Sequence, residues 1–250
     1  MQVIVDGRSV SYDKIGAGPV IVLLHGWADS MKTFEALTQI LKKNYTVVSL
    51  DLAGFGNSQQ PEVPWGLAEY AQSVKCFLDK IGINNVQLLV GHSNGGAIAI
   101  YLVAHHLLSP SKMVLLSSAG VRSEQSKRKK LLKVTSKIGR FGTVVLPLSQ
   151  RRRLREKFYA NIGSDLLIAP KMQETFKKIV SHDVQNEAKE IRVPTLLLYG
   201  AKDTATPVHY GTKLAACIPG SSLVTFNDAG HFIHQEQAKQ VSEVILGFDS

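Results

Sequence analysis

Residues 91–96 read Gly-His-Ser-Asn-Gly-Gly, directly after the apolar run Val-Gln-Leu-Leu-Val at 86–90. A small residue on each side of a serine lets the chain turn tightly enough, between strand and helix, to leave the hydroxyl in open space. Glycine permits the backbone angles and close approach that a Cβ forbids. This is the pattern of a nucleophile elbow, Gly91-His92-Ser93-Asn94-Gly95, with a helical run over 97–108 behind it. The bland alternative is a glycine-rich strand–helix turn; the flanking elements favour Ser93 as a nucleophile. A hydroxyl attacks poorly until a base takes its proton, and the base needs a third group to orient it. Asp203, in Gly200-Ala201-Lys202-Asp203, and His231, in Asp228-Ala229-Gly230-His231, each follow an apolar strand-like run and supply both parts. Asp203 could instead cap a helix, a task open equally to Thr204 or Thr206, and His231 could be a plain loop histidine. The order Ser, Asp, His favours the chemical roles. Asp228, three residues before His231, fits turn-shaping better than a second acid.

Acyl transfer also needs donors for a developing oxyanion. The backbone N–H of Asn94 opens the helix after the nucleophile and gains from the positive helix end. A second donor is expected from the loop His25-Gly26-Trp27-Ala28-Asp29, through the N–H of Trp27, with Gly26 allowing that backbone close to a substrate. Losing one such donor typically costs about 3–4 kcal/mol of transition-state stabilisation. His25 and His92 fit structural or pocket-lining roles. His234 forms an H-x-x-H pair with His231, but no cysteine or carboxylate stands at ligand spacing, so no metal is expected.

The elements that must position these groups alternate. Runs 3–5 and 10–15 flank Asp6-Gly7, a hairpin signal. Strands are expected at 20–24, 47–50, 86–90, 113–116, 195–199 and 223–226, with helices over 33–41, 67–81, 97–108, 208–218 and 236–248. Continuous apolar strands separated by helices predict an α/β fold: a mainly parallel sheet flanked by helices. Its strand ends would gather Ser93, Asp203 and His231 on one edge. The alternation breaks between 120 and 193, where helical segments at 124–138, 150–161 and 171–181 predict an inserted helical cap over 121–190. The core is then 1–120 with 191–250. On the third segment Met172, Phe176, Ile179 and Val180 are expected to line the pocket or, better, to pack the cap on the core.

The chain resembles the α/β-hydrolase superfamily over essentially its full length, cap insertion included. The matching residues are His25-Gly26-Trp27, Asp51-Leu52-Ala53-Gly54-Phe55-Gly56-Asn57-Ser58, the stretch 91–96, Gly200 to Asp203, and Gly230-His231-Phe232-Ile233-His234. In that family the D-x-x-G-x-G-x-S stretch is a structural loop, so Asp51 and Ser58 carry no chemistry. Many relatives place proline shortly after the second histidine; Ala238 stands there. Relatives that remove halogens or open epoxides use a carboxylate at the elbow, against which Ser93 argues. Esterases, lipases, lactonases, thioesterases and carbon–carbon bond hydrolases remain.

At 250 residues, 44% hydrophobic and 20% charged, the chain is long enough for one sizeable core and has an ordinary globular make-up. It holds no run of roughly 18 apolar residues, so no transmembrane segment is expected. Residues 1–7 show no basic-then-apolar secretory pattern. Cys76 and Cys217 read as small buried hydrophobes, consistent with a reducing cytoplasm. The net charge of +9 is uneven: residues 121–190 hold 17 Lys and Arg against 7 Asp and Glu, the other 180 hold 12 against 13. Over 124–140, Lys129, Lys130, Lys133, Lys137 and Arg140 share one helical face and Leu131, Leu132, Val134 and Ile138 the other. A solvated cap explains this; steering of an anionic substrate, docking of an acidic carrier protein, or weak peripheral contact with an anionic membrane would also use it. No aromatic-interleaved basic strand points to nucleic acid. The expectation is a cytoplasmic serine esterase, monomeric or a small homo-oligomer, needing no cofactor and acting on esters of small to medium acyl chain. A carbon–carbon or thioester hydrolase, or a triad-bearing small-molecule receptor, stays open.

Overall fold

The computed structural model describes residues 1–122 and 172–250. The helical segments expected at 124–138 and 150–161, with Lys129, Lys133 and Lys137, lie outside the described residues. Residues 1–121 and 174–250 form one compact unit.

Strands β1 (Gln2–Val5) and β2 (Arg8–Gly16) form the expected hairpin, with Asp6 and Gly7 both left-handed at φ 47 and 75. The remaining strands are β3 (Val20–Leu24), β4 (Thr46–Leu50), β5 (Leu88–His92), β6 (Lys112–Leu116), β7 (Thr195–Gly200) and β8 (Ser222–Phe226). They assemble in the order β1-β2-β4-β3-β5-β6-β7-β8. β2 meets β4 antiparallel; from β4 to β8 every pairing is parallel. The mainly parallel α/β-hydrolase sheet is therefore the architecture found. Its consequence for function is geometric. Leu24 pairs with Leu50 and Gly91 is its other partner, His92 pairs with Leu116, and Gly200 with Phe226. The loops after β3, β4, β5, β6, β7 and β8 thus all leave from one edge.

The helices are α1 (Glu35–Leu41), α2 (Leu67–Lys80), α3 (Asn94–Ala104), α4 (Gln173–Ser181), α5 (Gln185–Lys189), α6 (Val208–Cys217), α7 (Ile233–Glu236) and α8 (Ala238–Asp249). The period-3.6 pattern of α2 is honoured, its buried set being Leu67, Tyr70, Ala71, Val74, Phe77 and Leu78. On one face of the sheet Ile21, Leu23, Val90, Val114 and Leu198 pack in a cluster that includes Leu37 of α1 and Val241 and Ile245 of α8. Each such buried side chain contributes about 1.5–3 kcal/mol.

Several boundaries differ from expectation. The elbow strand runs on through Gly91 and His92, and α3 starts at Asn94 rather than 97 and ends at Ala104 rather than 108. The turn at Ser93 lets the helix begin at once, and left-handed His106 (φ 55) lies just beyond its C-cap. The single helix expected at 236–248 is two, broken at Gln237 (φ −135, ψ 45). Cys76 and Cys217 are free and half-buried rather than buried. Ile179 is buried as expected, whereas Val180 is 55% exposed, because α4 turns it to solvent. Among the described residues no helix is long and apolar enough to cross a membrane.

Candidate active site

Ser93 sits between β5 and α3 with φ 52 and ψ −116, a left-handed backbone that side chains rarely adopt and that costs of order 1–3 kcal/mol. Its neighbours hold it there. The Ser93 N–H donates to Leu116 O (3.0 Å), and Ser93 O accepts from Gly96 N (3.0 Å), Ala97 N (3.3 Å) and Ala119 N (2.9 Å). The flanking glycines are required by crowding. A Cβ on Gly91 would lie 2.5 Å from Gly95 O, and one on Gly95 would overlap Leu24 O and lie 2.6 Å from His25 O. Asn94, the first residue of α3, presents an N–H of the kind that has no partner inside its own helix.

Asp203 and His231 meet in the loops after β7 and β8. His231 Nδ1 is 2.8 Å from Asp203 Oδ2, and the Asp203 side chain is wholly shielded from solvent. Asp203 Oδ1 accepts from Ala205 N (2.8 Å) and Thr206 N (2.9 Å), a local turn that aims the carboxylate. Thr206 Oγ1 lies 2.8 Å from Asp203 Oδ2 and 3.1 Å from His231 Nδ1. Burial alone would raise the Asp203 carboxyl. The hydrogen bond and charge of His231, then the hydrogen bonds of Thr206, outweigh it and hold the group below its usual range. An ionised carboxylate only accepts, so it fixes the His231 proton on Nδ1 and leaves Nε2 as the basic nitrogen. Asp228, by contrast, is exposed and paired with Lys202 at 2.9 Å.

Three buried histidines surround this centre. His25 Nε2 accepts from Leu52 N (2.9 Å), so its Nδ1–H must donate to Gly26 O (2.7 Å); both the tautomer and the loop are thereby fixed. A Cβ on Gly26 would lie 3.2 Å from Ser93 Cβ, which sets the backbone leading into Trp27 against Ser93. The Trp27 ring packs on Phe55 (4.8 Å) and Phe176 (5.1 Å). His92 Nε2 is 3.0 Å from the His231 carbonyl oxygen, so the residue before Ser93 grips the His231 backbone. His234 Nε2 meets Thr33 Oγ1 at 2.9 Å. Burial lowers the pKa of all three: His25, His92 (well below its usual value) and His234, to about 3. They are neutral at pH 7. His25 and His92 are thus structural, as expected.

Asp51 also behaves as expected. Its carboxylate accepts from Met31 N and Asn57 N, both at 2.8 Å, while Ser58 Oγ donates to Asp51 O at 2.6 Å, closing the loop after β4. The structure therefore joins Asp203 and His231 directly, links His231 to the elbow through His92, and sets Gly26 on Ser93. Two partners were not legible in the sequence as such. Thr206 stood out only as a possible helix cap, yet the residue at the N-cap of α6 is Pro207. The His92 to His231 contact spans 139 positions and left no local signal.

With this geometry in hand, the comparisons define the class. The family model described as serine aminopeptidase, S33, matches residues 17–238, and the chain belongs to that family, within the α/β-hydrolase superfamily. The protein is a hydrolase. Among relatives, it is 27% identical over 264 residues to the AB hydrolase superfamily protein YisY of Bacillus subtilis, covering 95% of this chain and 94% of that one. It is 23% identical over 265 residues to 2-hydroxy-6-oxo-2,4-heptadienoate hydrolase of Pseudomonas putida, covering 98% and 94%. A solved structure titled Est816, an N-acyl homoserine lactone degrading enzyme, superposes with a TM-score of 0.75 at 26% identity, covering 99% of this chain and all of the other.

Proposed function

We propose that the protein hydrolyses carboxylic esters of small to medium acyl chain through an acyl-enzyme on Ser93. The observation that carries this is the Asp203–His231 pair at 2.8 Å, with Nδ1 bound and Nε2 left basic, whose backbone is tied to the elbow by His92. In the first step Ser93 Oγ attacks the ester carbonyl while its proton passes to His231 Nε2. Asp203 holds the ring and stabilises the imidazolium. The N–H groups of Asn94 and Trp27 receive the developing oxyanion. The imidazolium then protonates the leaving alkoxide. In the second half His231 takes a proton from water as it attacks the acyl carbonyl, and the imidazolium returns that proton to Ser93 Oγ as the acid departs. Serine, histidine and water complete this chemistry, so it calls for no cofactor. The Trp27–Phe55–Phe176 aromatic wall beside Gly26 offers apolar surface for an acyl chain.

A second reading has a specific support. The Pseudomonas putida relative is named as a hydrolase of 2-hydroxy-6-oxo-2,4-heptadienoate, a dienoate with a ketone, and the same serine machinery could cleave a carbon–carbon bond in a vinylogous diketone. We infer that the excess positive charge of 121–190 steers an anionic or carrier-bound substrate in a cytoplasmic protein. The test is turnover of p-nitrophenyl esters of graded chain length and of a dienoate diketone, each with Ser93→Ala as control. Ester turnover abolished by the substitution supports the esterase. Turnover of the diketone alone favours the second reading, and binding without any turnover would make the protein a receptor and sink both.

A further inference from the structure

We propose that Thr206 is a positioning residue for this reaction, its hydroxyl tying the acid–base pair to the strand edge that carries the nucleophile. The inference rests on the roles of Ser93, His231 and Asp203 proposed above. Thr206 is 5% exposed, and its Oγ1 has three partners: Asp203 Oδ2 at 2.8 Å, Ser117 O at 2.8 Å and His231 Nδ1 at 3.1 Å. A hydroxyl has one proton and two lone pairs. Ser117 O and Asp203 Oδ2 can only accept, and both lie 2.8 Å away, so the one proton is shared between them in a three-centre bond. The His231 Nδ1–H is then shared between Asp203 Oδ2 and Thr206 Oγ1. One hydroxyl therefore braces both the acid and the base.

Its third partner gives the brace its purpose. Ser117 is left-handed at φ 44, a strained turn at the end of β6, and its N–H donates to Leu198 O at 2.8 Å. On the other side of the same turn, Leu116 O accepts from Ser93 N (3.0 Å) and Ala119 N donates to Ser93 O (2.9 Å). Residues 116–119 thus grip the nucleophile's backbone on one side and Thr206 on the other. The spacing between the Ser93 elbow and the His231 ring is set by this short chain of hydrogen bonds across the strand ends. The loop that carries His231 does not have to set it alone. Thr206 N–H, bonded to Asp203 Oδ1 at 2.9 Å, holds the residue against the carboxylate that it braces. A valine at 206 has nearly the same shape and lacks only the hydroxyl.

The experiment compares wild type, Thr206→Val, Thr206→Ser and Ser93→Ala on p-nitrophenyl butyrate, with kcat normalised to sites titrated by a fluorophosphonate. Misplacement of a reacting group by about 1 Å costs up to about 100-fold in rate. Thr206→Val is expected to lose about 10- to 100-fold in kcat with KM within about threefold, as positioning without substrate contact requires. Thr206→Ser, which keeps the hydroxyl, is expected to stay within about threefold of wild type. If Thr206→Val fails to fold, Thr206→Ala carries the same comparison. A valine variant that keeps its kcat, or a serine variant as impaired as valine, overturns the positioning role while leaving the esterase standing. Absence of wild-type turnover, or turnover that survives Ser93→Ala, overturns both.

Discussion

Acid should begin to destabilise this protein before its carboxylates titrate, and His234 is the clearest reason. Its ring is fully buried, with Nε2 on Thr33 Oγ1 at 2.9 Å. Its Nδ1 has no hydrogen-bond partner among the described residues, so a second proton would add a charged N–H with nothing to receive it. Burial, and then the nearby His231, bring its pKa from 6.5 to about 3. In the unfolded chain the same imidazole protonates near 6.5. Between those two values the unfolded state binds the extra proton, so stability falls as pH falls, by about 1.4 kcal/mol per pH unit for one group. From pH 7 to pH 4.5 this amounts to about 2–3 kcal/mol from His234 alone. His25 and His92, also buried and shifted downward, act in the same direction. Against a total stability of about 5–15 kcal/mol that is a large share. The assay is urea unfolding followed by fluorescence of Trp27 and Trp65 at pH 7 and at pH 4.5, for wild type and His234→Gln. Glutamine keeps a polar partner for Thr33 and does not titrate in this range. The variant's loss between the two pH values should be smaller than wild type's by about 2–3 kcal/mol. A flat wild-type stability over this interval, or an equal loss in both proteins, would refute the reasoning.

Three further outcomes follow from the same geometry. Asp203→Asn should leave folding intact yet lower kcat for p-nitrophenyl butyrate by about 10⁴-fold, the scale of losing tautomer control in a serine triad; a loss under tenfold would mean that His231 is oriented by something else. Gly95→Ala forces a Cβ onto the Leu24 carbonyl oxygen, a backbone atom that cannot step aside, so urea midpoints should report destabilisation at or above the upper end of overpacking, about 3 kcal/mol. Replacing Lys129, Lys133 and Lys137 together by glutamine should leave neutral esters unchanged while lowering kcat/KM for anionic esters in a salt-dependent way; equal losses on both would show that these lysines serve structure rather than steering.

Local rules of chain geometry and hydropathy account for the elements and their order. Apolar runs of strand length between helical periods forced a parallel sheet, and small residues around Ser93 forced the elbow. The order of Ser93, Asp203 and His231 along strand ends placed them on one edge. How those groups are held depends on long-range packing. That His92 grips the His231 carbonyl, that Thr206 braces His231 and Asp203 against Ser117, and that Trp27 leans on Phe176 are contacts between segments far apart in the chain. No spacing rule encodes them, because they depend on which strands become neighbours. The same holds for Val180 facing solvent and for the half-buried Cys76 and Cys217, where hydropathy fixed the residue type but packing fixed which side it faces. A hydrogen bond is short-ranged, so its partners become legible only once the fold has brought distant strand ends to within about 3 Å.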